Sequence, residues 1–233
     1  MGDRRDQLAA NLATVRARIG DACTGAGRDA DEVTLVVVTK FFPESDVRLL
    51  AQLGVTDVGE NRHQEASAKA SACADLDLSW HFIGSIQSNK AAAIAAYADV
   101  VESVDRVKLV AALDRGAGER GRAVDCLIQV SLDPPEAGAR GGASADDVPA
   151  IAEAVAEAGA LRLRGVMAVA PLGAPPLPAF ERLAAVAARL RAAHPDAAVV
   201  SAGMSGDLEE AIRCGATHVR VGSAVLGPRP PIK

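Results

Sequence analysis

The chain has 233 residues, of which 49% are hydrophobic and only 3% aromatic, and its formal net charge is -5. This length corresponds to one large domain or two small ones, and the negative charge argues against a nucleic-acid-binding surface. The charged N-terminus has no apolar stretch of the signal-peptide kind, and no run is long enough to span a membrane. The four cysteines, Cys23, Cys73, Cys126 and Cys214, are far apart. This spacing predicts neither a disulfide framework nor a metal site and fits the cytoplasm.

Strand-like apolar runs alternate along the chain with alanine-rich helical patterns. An opening helix is predicted over 4–22, and the eight strand candidates after it are 33–39, 57–59, 80–83, 100–103, 124–131, 163–169, 198–201 and 218–221. The helical patterns between them are 45–53, 63–73, 89–97, 107–120, 145–158, 179–193 and 207–214. Repeated strand–helix units predict a parallel sheet with right-handed crossovers.

Eight such units in a chain near the usual barrel length of ~250 residues predict one domain over residues 1–233. Its fold class is α/β, a single (β/α)8 TIM-type barrel of parallel strands with an extra N-terminal helix. A doubly wound open sheet is the alternative. Two Pro/Gly-rich segments, 133–138 and 171–176, follow predicted strands five and six. They are interpreted as loops on the ligand-bearing face or as plain connections.

A lysine closes the first predicted strand. The apolar run 35–38 is rich in β-branched residues, leads to Lys40, and is broken at Pro43. Such a run is typical of a strand buried on both faces, and ligands of parallel α/β proteins gather at the carboxyl ends of strands. A partly desolvated lysine at this place can attack a carbonyl to form a Schiff base. A solvated lysine at a strand end is the alternative interpretation.

Turns rich in small residues follow the last two predicted strands. Segment 201–207 reads Ser-Ala-Gly-Met-Ser-Gly-Asp, and the eighth strand ends in Arg220-Val221-Gly222-Ser223. Glycines allow close approach to a ligand and hydroxyls donate hydrogen bonds, so a phosphate site is predicted where barrels frequently have one. The alternative for the first turn is simple capping of the next helix by Ser205 or Asp207.

Arg220 lies between valines in an otherwise apolar strand, where a buried guanidinium would need partners. It either faces outward and covers a helix with its stem, or it donates into the barrel mouth. An amine opposite a phosphate cradle suits a phosphorylated aldehyde, which points to pyridoxal 5′-phosphate (PLP). Lys40 is the one lysine that ends a predicted strand. The others are Lys69, Lys90 and Lys108 in helical patterns and Lys233 at the terminus.

Eight segments follow one another along nearly the whole chain in the order typical of one family. They are Val-Thr-Lys at 38–40, Gly-Glu-Asn-Arg at 59–62, Trp-His-Phe-Ile-Gly at 80–84, Gln-Ser-Asn-Lys at 87–90, Ser-Val-Asp-Arg at 103–106, Gly-Val-Met at 165–167, the turn at 201–207, and Val-Arg-Val-Gly-Ser-Ala at 219–224. Through them the chain closely resembles the YggS/PROSC family of PLP homeostasis proteins. Two details depart from the family: Arg140 stands where lysine is frequent, and Ser85-Ile86 where many relatives carry His-Leu.

The resemblance implies a fold like the barrel domain of alanine racemase, which is fold type III among PLP proteins. The cofactor-binding residues that it implies are Lys40, Asn61, Ser201, Met204, Ser205, Arg220, Gly222 and Ser223. PLP would be covalently bound to Lys40 as a Schiff base. Ser205, Gly222 and Ser223 would hold its phosphate, with Ser201 in support, and Arg220 would meet the pyridine nitrogen. Asn61 and Met204 would line the pocket.

The function that the resemblance implies is intracellular PLP (vitamin B6) homeostasis, in which the protein buffers or transfers the cofactor. The alternatives are a weak PLP-dependent amino-acid racemase and a phosphate-binding barrel without PLP. An arginine at the ring nitrogen leaves it unprotonated, which weakens the electron sink and leaves proton exchange at Cα conceivable. Racemisation by two bases needs a second acid–base group, which alanine racemase supplies as a tyrosine with the help of a second domain.

Two residues bear on that choice. The single tyrosine, Tyr97, ends a helical pattern before strand four, at the far end of the barrel, and the chain ends soon after strand eight. We therefore expect no efficient racemase and a pocket open above the cofactor. His81 alternates with Trp80 and Phe82, so a packed core or near-core histidine is predicted and not a catalytic one. The expected partners are PLP and PLP-dependent apo-enzymes, without nucleic acid or membrane, and the expected state is a monomer.

Overall fold

The computed structural model describes residues 2–134 and 141–228. Eight parallel strands close into a barrel in the order β1 to β8. Their bounds are β1 Thr34–Val38, β2 Asp57–Glu60, β3 Ser79–Phe82, β4 Val100–Val104, β5 Val124–Gln129, β6 Leu161–Met167, β7 Val199–Ser201 and β8 His218–Val221. The predicted closed barrel is confirmed, and the open-sheet alternative is wrong because β8 pairs with β1, with Val221 opposite Val37.

Nine α-helices lie among the described residues, in addition to three short 3-10 helices. Their bounds are α1 Gly2–Gly25, α2 Glu44–Gln52, α3 His63–Ala72, α4 Ala91–Ala95, α5 Val110–Arg120, α6 Val148–Ala156, α7 Pro176–Ala193, α8 Leu208–Arg213 and α9 Ser223–Leu226. Each of α2 to α8 connects one strand to the next, as the repeating pattern predicts. None of the helices in the described ranges is long and apolar enough to cross a membrane.

The strand boundaries differ from the predictions for local reasons. Predicted strand 124–131 ends earlier, at Gln129, because Val130 bridges to Ala143 although its amide still donates to the Met167 carbonyl of β6. β6 begins before the predicted residue 163, because the strand accommodates the charged Arg162 by turning its side chain outward. There Arg162 Nε lies 2.6 Å from Oδ1 of Asp125 on β5. The predicted loop 171–176 is confirmed up to the start of α7 at Pro176. Of the predicted loop 133–138, residues 135–138 lie outside the described part of the chain, as does Arg140.

The opening helix α1 is an addition to the barrel and packs beside its last two helices, α8 and α9. Leu8, Leu12, Val15 and Ile19 recur on one helical face and are buried. They belong to a core cluster that also contains Leu208, Ile212, Val225 and Leu226, which come from α8 and α9. The N-terminal helix therefore covers the part of the barrel where the chain leaves β7 and β8.

Candidate functional site

Lys40 lies just beyond the carboxyl end of β1, in a tight turn. The Phe42 amide donates to the Thr39 carbonyl oxygen at 3.0 Å, and Phe41 between them has a φ of 71°. A bulky residue in this left-handed region is uncommon and costs about 1–2 kcal/mol. The conformation is held in place by the Glu65 carboxylate of α3, which accepts a hydrogen bond from the Phe41 amide at 2.6 Å. The backbone on either side of Lys40 is thus fixed by contacts outside its own strand.

A buried ion cluster lies directly behind this turn. Lys69 of α3 is 7% exposed, and its Nζ contacts Glu60 Oε1 and Glu65 Oε1, both at 2.7 Å. The same ammonium donates to the Thr39 carbonyl at 2.8 Å, and the Thr39 hydroxyl donates to Glu60 at 2.7 Å. Burial raises the pKa of Glu60, and the Lys69 charge opposes that rise. The helical pattern around Lys69 predicts its helix correctly but not this role.

The turn between β7 and α8 brings Met204, Ser205 and Gly206 to the barrel mouth. Gly203 has a φ of 91°, and a Cβ added there would lie 2.7 Å from the Ala211 Cβ, so only glycine fits. The Met204 amide donates to Asp207 Oδ1 at 2.6 Å, which closes the turn. At the end of β8, a Cβ on Gly222 would lie 3.2 Å from the Val38 carbonyl oxygen of β1. The last strand thereby comes close to the strand that leads to Lys40.

These turns and Lys40 line one cavity of about 400 Å³ at the carboxyl ends of the strands. This size is within the range of small-molecule sites. Seven of the eight predicted site residues line it, namely Lys40, Asn61, Met204, Ser205, Arg220, Gly222 and Ser223. Apolar walls are supplied by Val38, Phe42, Ile83, Met167 and Val169. The sequence did not single these out, because apolar residues of strand ends serve core and cavity alike.

Ser201, the eighth predicted residue, is buried behind the cavity and contacts Arg220. Its hydroxyl accepts from Arg220 Nη1 at 2.6 Å and donates to Glu102 Oε2 at 2.6 Å. Arg220 Nη2 donates to the Ala168 carbonyl at 2.8 Å. The alternative of an outward-facing arginine is wrong, since Arg220 is 3% exposed and lines the cavity. A guanidinium carries five N–H donors, so these two bonds leave donors for a ligand.

A chain of polar contacts continues from Arg220 through the barrel interior. Glu102 Oε1 lies 2.7 Å from His81 Nδ1, and His81 Nε2 lies 3.0 Å from Asp57 Oδ1. Burial lowers the pKa of His81, but hydrogen bonds to the two carboxylates outweigh it and raise that pKa to about 9. Burial likewise opposes the ionised form of Glu102, yet its contacts with His81, Arg220 and Ser201 lower its pKa to about 2.

His81 is therefore buried, as predicted, and its raised pKa favours the imidazolium form between the two carboxylates. Because both ring nitrogens face carboxylates, both donate hydrogen bonds in the imidazolium form. Glu102 was missed by the sequence reasoning, although it carries the same signal as Arg220: a charge within the apolar run 100–104. Tyr97 lies outside the cavity lining and stacks on His63, with ring centroids 5.8 Å apart.

The residues around the cavity fit a flat, phosphorylated aldehyde. An amine, a buried guanidinium and two hydroxyl-bearing turns converge on apolar walls that suit an aromatic ring. Asn61 Oδ1 is buried and has no hydrogen-bond partner among the described residues, so it offers an acceptor to a bound donor. Among the described residues that line the cavity, none carries a carboxyl, imidazole, phenol or thiol group.

Comparison with known proteins gives a consistent result. Residues 4–230 match the family described as alanine racemase, N-terminal domain. The pyridoxal phosphate homeostasis protein of Mycobacterium leprae (strain TN) is 42% identical over 245 residues, which cover 97% of this chain and 95% of the relative. The structure of PipY from Synechococcus elongatus PCC7942 with PLP bound has a TM-score of 0.81 and 34% identity, covering 94% of this chain and 100% of that one.

Alanine racemase from Clostridium difficile 630 is similar in fold alone. It has a TM-score of 0.72 at 15% identity, and the match covers 97% of this chain and 57% of that one. The fold of this chain is therefore that of an alanine racemase barrel.

Proposed function

Since the chain belongs to the alanine racemase N-terminal domain family, and within it to the pyridoxal phosphate homeostasis proteins, we propose that it binds PLP and takes part in PLP homeostasis. One structural observation carries the proposal. Lys40 and the turns that follow β7 and β8 line the same cavity, so an amine and a phosphate cradle meet across one barrel mouth. The similarity to pyridoxal phosphate homeostasis proteins and to PipY, whose structure contains bound PLP, supports the same ligand.

Different residues of the chain bind different parts of the cofactor. Lys40 links to the aldehyde carbon as a Schiff base, and one water is lost as the nitrogen–carbon bond forms. Ser205, Gly222 and Ser223 hold the phosphate through hydroxyl and backbone N–H groups. Arg220 donates to the pyridine nitrogen and is itself fixed by Ser201. PLP, when bound, supplies an electrophilic aldehyde and an electron sink.

Arg220 also limits how strong that electron sink becomes. A guanidinium remains protonated and donates its hydrogen bond, so the ring nitrogen accepts a bond and stays without a proton. Burial lowers the pKa of Arg220, and the charges of Glu102 and Asp207 oppose that change. We propose on this basis that the protein keeps or hands over PLP and does not use it for rapid turnover.

The racemase alternative requires a second acid–base group at the cofactor. Lys40 is the only side chain of that kind among the described residues that line the cavity, apart from the Arg220 guanidinium. We therefore expect slow amino-acid racemisation at most. Rapid interconversion of L- and D-amino acids by purified protein, abolished in Lys40→Ala, would replace the carrier function with the enzymatic one.

The proposed function is tested by loading and transfer. Protein incubated with PLP is passed through gel filtration and then mixed with the apo-form of a PLP-dependent enzyme. We expect the wild-type protein to retain PLP near one equivalent and to restore activity to the acceptor. Lys40→Ala should retain little PLP, because it loses the covalent link.

Lys108→Ala is the matched control, since Lys108 lies outside the cavity lining. Wild-type protein that elutes without PLP, or Lys40→Ala that retains as much as wild type, would contradict PLP binding at this site. Retention without transfer would contradict the hand-over role alone.

A further inference from the structure

The N-terminal helix α1 makes side-chain hydrogen bonds to the backbone of the first proposed phosphate turn and of α9, the short helix that begins at Ser223 of the second. Arg18 Nη1 and Nη2 donate to the Ser205 carbonyl at 3.2 and 3.1 Å. Asn11 Nδ2 donates to the Val225 carbonyl of α9 at 2.8 Å. A helix outside the (β/α)8 repeat thus contacts the backbone of one segment proposed to hold the phosphate and of the short helix that continues the other.

Arg18 joins the first turn to the helix that follows it. Its Nε and Nη2 contact Glu209 Oε1 of α8 at 2.9 and 2.7 Å, while the same guanidinium bonds to the Ser205 carbonyl. Ser205 also lines the cavity. Its carbonyl oxygen is bonded to Arg18 of α1, which leaves its hydroxyl for a ligand in the cavity. Within the turn itself, the Met204 amide donates to Asp207 Oδ1 and the Asp207 amide donates to the Met204 carbonyl at 3.3 Å.

Arg4 and Asn11 fix α9, which begins at Ser223 of the second turn, in the same way. Arg4 Nη2 donates to the Leu226 carbonyl at 3.0 Å and pairs with Asp46 of α2 at 2.6 Å. The carbonyls of the short helix α9 lack partners within it, because the last four carbonyls of any helix do. Two of them, at Val225 and Leu226, are satisfied by α1. These bonds fix the segment that begins at Ser223.

The N-terminal side chains therefore act at a distance from the ligand. None of Arg4, Asn11 and Arg18 lines the cavity. A phosphate is held well only when its donors are already in place, since ordering them at the moment of binding costs affinity. We infer that α1 is a positioning element for the phosphate grip, with Arg18 its principal residue, and that it sets the preference for phosphorylated over unphosphorylated B6 aldehydes. This inference rests on the proposed PLP binding.

The test compares two aldehydes that differ by the phosphate. Dissociation constants of PLP and of pyridoxal are measured by equilibrium dialysis for wild type, Arg18→Ala and Arg16→Ala. Arg16 is the matched control, because it is on the same helix and its Nη2 donates to a backbone carbonyl, that of Gly54, at 3.2 Å. Gly54 lies between α2 and β2, at the opposite end of the barrel from the cavity.

We expect Arg18→Ala to weaken PLP binding about tenfold, because a displaced Ser205 turn would lose the equivalent of about one charge-assisted hydrogen bond to the phosphate. Pyridoxal binding should change by less than about twofold, so that the ratio of the two constants falls. Arg16→Ala should leave that ratio unchanged. Arg18→Lys keeps a charged donor and should lie between Arg18→Ala and wild type.

If the role of Arg18 is purely structural, Arg18→Ala weakens the binding of PLP and of pyridoxal equally. The ratio of the two dissociation constants then stays at the wild-type value, and this result would overturn the inference. So would an equal loss of selectivity in Arg16→Ala. If Arg18→Ala does not fold, Asn11→Ala gives the same comparison at the second turn, with the same two outcomes. Failure of the proposed function is read separately, from wild-type protein that binds neither aldehyde.

Discussion

Among the described residues, the charges buried next to Lys40 and Arg220 are neutralised in two separate groups. One is the cluster of Lys69, Glu60 and Glu65 behind Lys40, and the other is the chain that leads from Arg220 through Glu102 to His81. Buried charges are tolerated only when they are paired and hydrogen-bonded. Both groups lie beside cofactor-binding candidates, so we interpret them as the supports that fix Lys40 and Arg220.

Lys69→Ala removes the positive charge of the first group. Glu60 would stay buried beside Glu65 without a counter-charge, and removing one partner of a buried pair typically costs about 3–5 kcal/mol. We expect the free energy of unfolding, measured by urea denaturation, to fall by about 3 kcal/mol. In the control Arg162→Ala, an exposed pair is lost and the change should be about 0–1 kcal/mol. Equal effects of the two substitutions would contradict this account.

His81 makes stability depend on pH in a defined direction. Its pKa is about 9 in the folded protein, against 6.5 for an ordinary histidine. A raised folded-state pKa contributes stability that is complete below about 6.5 and is lost as pH rises through about 9. We expect the difference in unfolding free energy between wild type and His81→Gln to shrink over that window. Asp57, Glu102 and His218 are the titratable groups that interact with His81. A difference that stays constant or grows with rising pH would contradict the assignment.

At the level of secondary-structure elements, the glycine turns decide whether the phosphate cradle forms. In Gly203→Ala the new Cβ would lie 2.7 Å from the Ala211 Cβ at a φ of 91°. We expect a loss of about 2 kcal/mol in thermal or urea unfolding, from backbone strain and overpacking. Gly206→Ala is the matched control, since no atom lies within 4 Å of its added Cβ. Its stability should stay within about 0.5 kcal/mol of wild type, and equal losses would count against this reading of the turn.

Most elements could be predicted from the sequence, because strands and helices differ in hydrophobic period and a parallel barrel repeats one unit. The helix α9 could not, since four residues are too few to show a helical period. Within the site, Lys40 and the two turns could be predicted because each carries its own local signal. The contacts of Lys69 and Glu102 could not, because their partners lie on other elements. Which side chains meet inside a closed barrel depends on register, and no single segment specifies it.

On the scale of the whole molecule, we predict a monomer. Among the described residues, the exposed large hydrophobic side chains are Val107, Leu172 and Met204, and they come from separate elements. Stable interfaces need a contiguous patch of larger size. Sedimentation equilibrium should therefore give 23.8 kDa with and without PLP. A mass near twice this value that persists on dilution would contradict the prediction.

The central claim is that Lys40 faces the two phosphate turns across one cavity and links to PLP there. Borohydride reduction of PLP-loaded protein, followed by digestion and peptide mass mapping, tests in one experiment whether PLP binds covalently and which lysine it binds. The chain offers four internal controls in Lys69, Lys90, Lys108 and Lys233. We predict one pyridoxyl group on Lys40, with the other four lysines unmodified and no adduct in Lys40→Ala. A reduced adduct on another lysine, or none on Lys40, would contradict the account.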